Sequence, residues 1–156
     1  MKLSFRSGCV AAGLLLGMSL SAAQAAPPAD VAAAVAPQIV GVVSGGTWEE
    51  GGKKGYYRAV LIAPPDANTG AQIFLQWMTA ADQSSGGVPA IAKIVAVQEV
   101  ADQKMLDANL SMEFEKPNEF ILYVEPADPA KAATQSLTVT ATTLGKYSAV
   151  KGPLPE

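Results

Sequence analysis

A chain of 156 residues with no histidine, one cysteine and a net charge of −3 is one domain in size and poor in the groups that catalysis and metal binding most often use. Without histidine it lacks the usual base near neutral pH and the commonest metal ligand. Ser-His-Asp and Cys-His catalysis and ordinary zinc sites are therefore excluded. The acidic balance, with Lys53-Lys54 the only basic pair that stands out, disfavours nucleic acid and anionic membrane as partners.

Residues 1–25 read as a secretory signal peptide. Lys2 and Arg6 form a positive start, Cys9 to Leu20 an apolar stretch, and Ala23-Gln24-Ala25 a small-x-small cleavage triplet. The stretch is too short to span a bilayer. Cys9 begins the apolar stretch instead of ending it, which disfavours a lipid anchor. Cleavage after Ala25 would place the chain in the periplasm or outside the cell. It would also remove the only cysteine and take the net charge from −3 to −5. About 130 residues remain, enough to hold a core without disulfides.

Residues 26–38 are rich in Ala and Pro and read as a leader, with Asp30 able to cap a short helix. The β domain is expected over 39–151. Ile39 to Val43 is the first strand, bent or bulged at Gly45-Gly46 before Thr47 to Glu50 continues it. Gly51 to Gly55 reads as a turn, and Tyr56 to Ala63 as the returning strand. Pro64 to Gly70 is dense in turn residues. Ala71 to Met78 alternates, with Ile73, Leu75 and Trp77 on one face and Gln72, Phe74, Gln76 and Met78 on the other. Asp82 to Pro89 is a loop, and Ile91 to Val100 reads as a strand. Leu110, Met112 and Phe114 alternate with Ser111, Glu113 and Glu115. Lys116-Pro117-Asn118 turns the chain into Glu119 to Glu125, with Phe120, Leu122 and Val124 inside. Pro126 to Ala133 breaks the pattern and holds a turn of helix. Ser136 to Thr143 and Tyr147 to Val150 are the last strands, and 152–156 is a tail. Seven to eight short strands without a long helix predict an all-β antiparallel sandwich or small barrel.

Little chemistry is left for catalysis. Glu113 and Glu115 share a strand face roughly 7 Å apart, which a glycoside hydrolase could use, but alternating acids on a wet face are ordinary solvation. Asp66 and Asn68 offer two oxygens to a cation without the rest of a site. No phosphate loop follows any glycine pair. Neither cofactor nor metal is expected.

The aromatic residues carry the remaining signal. Tyr56 and Tyr57 must point to opposite faces. If Tyr57 goes inward, Tyr56 shares its face with Arg58. Phe74 and Gln76 occupy a similarly mixed face, and Tyr, Arg and Phe beside Gln suit a binding surface. Trp48, Tyr56, Arg58, Phe74 and Gln76 are the candidate binding residues. The expected function is a periplasmic or secreted non-enzymatic interaction domain with a protein partner first and a glycan second. The alternatives are an inhibitor of an envelope or secreted hydrolase, presenting Gly51 to Gly55 or Asp82 to Pro89, and a carboxylate-based glycoside hydrolase.

Overall fold

The computed structural model describes residues 28–66, 68–81 and 87–155. The expected signal peptide lies outside the described residues, as do positions 82–86 of the Asp82 to Pro89 loop. Where a leader is expected, Pro28–Ala33 forms a short helix, α1. It belongs to a unit separate from the β domain, which begins at Val35.

Among the described residues the β domain has eight strands. They are β1 Ile39–Glu50, β2 Lys53–Ile62, β3 Gln72–Thr79, β4 Ile91–Ala96, β5 Ala108–Glu113, β6 Phe120–Pro126, β7 Leu137–Ala141 and β8 Tyr147–Lys151. They form two four-stranded antiparallel sheets in the orders β1-β2-β3-β4 and β5-β6-β7-β8. Each sheet is therefore a meander of sequence neighbours. Helix α2, Gln98–Asp102, lies in the connection between the sheets. Helix α3, Ala132–Gln135, follows a 3-10 turn between β6 and β7. The expected sandwich is the observed fold.

The first hairpin turns on two residues, not five. Gly51 and Gly52 both have positive φ, 59° and 75°, as a two-residue hairpin with right-handed strand twist requires. Lys53 and Lys54 already lie in β2, opposite Glu50 and Glu49. Gly55 is needed for another reason. It pairs with Thr79, and a Cβ there would land on the Met78 carbonyl. The bulge expected at Gly45-Gly46 is present as a register shift between Gly45 and Trp48, with Gly46 at φ 62°.

The strand expected over Ile91 to Val100 stops at Ala96. Val97 and Val100 are both fully buried. Residues three apart point to opposite faces of a strand but to one face of a helix, so the turn of α2 is what lets both reach the core. The Val97 N–H closes the junction by donating to the Ile73 carbonyl at 2.8 Å.

The core lies between the sheets. Tyr57, Ala59 and Leu61 of β2 and Ile73, Leu75 and Trp77 of β3 meet Phe120, Leu122 and Val124 of β6 and Leu137, Val139 and Ala141 of β7. Tyr57 stacks on Phe120 with centroids 5.3 Å apart and meets Trp77 edge-on at 6.0 Å. Its O–H donates to the Thr142 carbonyl at 2.9 Å, tying the two sheets together. Phe114 is the exception to the expected core. β5 ends at Glu113, and Phe114 is 52 % exposed, its ring lying over Gly45 and its Cβ beside Gly46. The loop beyond it is pulled toward β1. Asn118, at φ 60°, accepts the Glu49 N–H at 2.6 Å and donates its own N–H to the Thr47 carbonyl at 2.8 Å. Phe114 therefore covers the bulge at the sandwich edge.

Candidate functional site

The outer face of the first sheet is built in transverse rows, because cross-strand partners point to the same side. One row is Ser44, Arg58, Gln76 and Ile94. The next is Val42, Val60, Phe74 and Ala96. Tyr56, Met78 and Ile91 flank the first, and Ile62 with Gln72 the second. The alternation that sends Tyr57, Leu75 and Trp77 into the core fixes this set. Four of the five candidates, Tyr56, Arg58, Phe74 and Gln76, therefore share one face.

Trp48 does not join them. It is buried, and its indole N–H lies between the carbonyls of Tyr56 at 3.1 Å and Met78 at 3.0 Å. Both contacts anchor the indole to the strand backbone, which is a structural role.

The two sheets differ in what they show to solvent. The outer face of the second carries Asn109, Ser111, Glu113, Tyr123, Glu125, Thr138, Thr140 and Ser148, with Ile121 and Val150 its aliphatic members. The Tyr123 O–H donates to Glu113 at 2.8 Å. That bond, with burial and the charges of Glu113 and Glu115, raises the phenol above its ordinary pKa. Glu113 and Glu115 are both exposed, and β5 ends between them. Asp66 is engaged by its own loop. It accepts the N–H groups of Asn68 and Thr69 and the Thr69 hydroxyl, and these bonds hold its carboxyl below the ordinary value.

On the first sheet the corresponding face is mainly aliphatic and aromatic, and it is concave. A trough of about 460 Å³ is lined by Val42, Val60, Ile62, Phe74 and Ile94, with Val35 and Ile39 beside them. Its floor is closed: Val60 and Gln76 are each 8 % exposed. Its rim is open, with Val42 52 % and Ile94 48 % exposed. Arg58 and Gln76 are the polar members, joined by an Arg58 Nε–H to Gln76 Oε1 bond of 2.6 Å. Sequence reasoning missed Val42, Val60 and Ile94. The available signal was that Ile39 to Val43 and Ile94 to Val97 are apolar at successive positions. Strands apolar on both faces ask for cover on both.

Among the described residues no helix is long and apolar enough to cross a membrane. No protein-family model, curated protein or solved structure matches the chain.

Proposed function

We propose that the chain is exported and acts as a non-enzymatic binding domain whose protein partner seats on the outer face of the first sheet. The observation that carries this reading is the contrast between the two outer faces. Both sheets bury their inner faces in the same core, so folding alone does not require the first to be apolar outside as well. A contiguous apolar patch on a folded surface is the signature of an interaction site. Tyr56, Arg58 and Phe74 add the residue types that anchor interfaces.

A photo-crosslinking residue in place of Ile94 should yield a protein adduct of defined mass in intact cells. The same residue in place of Ser148, on the polar face of the second sheet, should not. Adducts of equal yield from both positions, or none from position 94, would overturn the reading. Export has its own test. The amino terminus of the protein recovered from the envelope or medium should be Ala26, and retention of Met1 in a cytoplasmic protein would exclude export.

A further inference from the structure

Arg58 is the member of the outer face that its surroundings do not account for. A guanidinium carries five N–H donors, and the Gln76 side chain takes the one on Nε. Among the described residues no carboxylate forms an ion pair with it. It lines an apolar trough, where a positive charge attracts an anion more strongly than it would in open water. Gln76 is 8 % exposed, so the residue holding Nε is itself fixed in the trough floor. The two terminal nitrogens form the planar fork that recognises a carboxylate by two parallel hydrogen bonds.

We propose that the trough receives an apolar segment of the protein partner carrying one carboxylate, and that this carboxylate pairs with Arg58. The inference rests on the protein-binding reading above and adds the chemistry of the partner's anchor. A second copy of the chain does not fit. The rows that line the trough contain Ser44, Arg58, Gln72 and Gln76 but no Asp or Glu, and Glu49, the acid that the register puts on this side, lies opposite Lys54 at the hairpin end, beyond Tyr56. A face-to-face pair centred on the trough would bring two guanidinium groups together and supply neither with an anion. A free acyl ligand fits less well than a protein. The trough is open along its rim, where Val42 and Ile94 are about half exposed, whereas small-ligand pockets enclose most of their ligand.

The test uses three eight-carbon probes that differ only in the head group: octanoate, octylammonium and 1-octanol. Each is titrated into the purified protein and followed by NMR. Octanoate should shift the signals of Val60, Gln76 and Ile94 and the Arg58 Nε–H, and should bind at least about tenfold tighter than octylammonium. Arg58→Met should erase that preference with an unchanged thermal midpoint. If that variant unfolds, Ile94→Glu serves instead. It places a carboxylate in the row of Arg58 on an exposed edge strand, and should weaken octanoate binding about tenfold. Equal binding of the three probes, or a preference that survives Arg58→Met, overturns the proposal. So does affinity rising about tenfold for every two methylenes added to the acid, which would make the occupant an acyl chain. If octanoate fails while crosslinking at position 94 succeeds, the anchor chemistry is wrong and the binding face stands. If crosslinking fails while the octanoate preference holds, the protein partner is wrong and the anion subsite stands.

Discussion

Phe114→Ala and Phe120→Ala make the same chemical change six positions apart, and the structure gives them different costs. Phe120 is fully buried and stacks on Tyr57 at 5.3 Å. Removing its ring forfeits the transfer energy of a buried aromatic, leaves a cavity between two sheets that cannot close over it, and breaks the aromatic pair. The expected loss is about 3–5 kcal/mol. Phe114 is 52 % exposed, so about half of the transfer term applies. The space it vacates opens to water, which removes the cavity term. Its expected loss is about 1–1.5 kcal/mol. Urea denaturation followed by tryptophan fluorescence, with both variants checked for an unchanged slope, measures the two values directly. Equal losses would mean that Phe114 is as fully buried as Phe120, and a larger loss for Phe114 would mean that β5 continues past Glu113 with its ring in the core.

The remaining stability predictions concern Tyr57 and Gly55. Burial, with smaller contributions from the Glu119 and Glu50 carboxylates, pushes the Tyr57 phenol up from 10.0 to about 12. A pKa raised by folding gives stability that is present below pH 10 and is lost as pH rises through about 12. The stability gap between the native chain and Tyr57→Phe should therefore shrink over that interval in denaturant melts, and a constant gap would refute the assignment. Gly55→Ala should destabilise by more than about 2 kcal/mol, because the added methyl lands on the Met78 carbonyl across the ladder. A melt within about 0.5 kcal/mol of the native chain would show that the strands can separate there.

Most of the fold was legible because alternation is a local signal. Tyr57, Ala59 and Leu61 could be assigned to one face by counting in twos, and so could Leu137, Val139 and Ala141. The failures lie where a long-range contact overrode the count. Phe114 continues the period of Leu110 and Met112, but Asn118 draws its loop toward β1. Val100 stands beyond Gln98 and Glu99 at the end of the expected strand, but a helical turn carries it inward. The candidate site was legible in part for the same reason. Alternation put Tyr56 with Arg58 and Phe74 with Gln76, and the pairing of β2 with β3 brings the two sets onto one face. Trp48 was not separable from them, because the bulge at Gly45-Gly46 breaks the count before it. The trough depends on β1 and β4 flanking β2 and β3, and strand order is not written in any single strand.

The order of the strands bears on how the chain reaches its folded state. Among the described residues every hydrogen-bonded ladder joins consecutive strands, so each sheet can form by closing short loops, with little conformational entropy lost at each step. The distant contacts are concentrated in the meeting of the two sheets. The bond from Tyr57 to Thr142 spans 85 positions. The barrier to folding should then lie in the docking of two meanders, each assembled from near neighbours, and the rate should exceed that of a sandwich whose strands cross between sheets. Stopped-flow refolding no faster than that of such a sandwich would contradict this order of events.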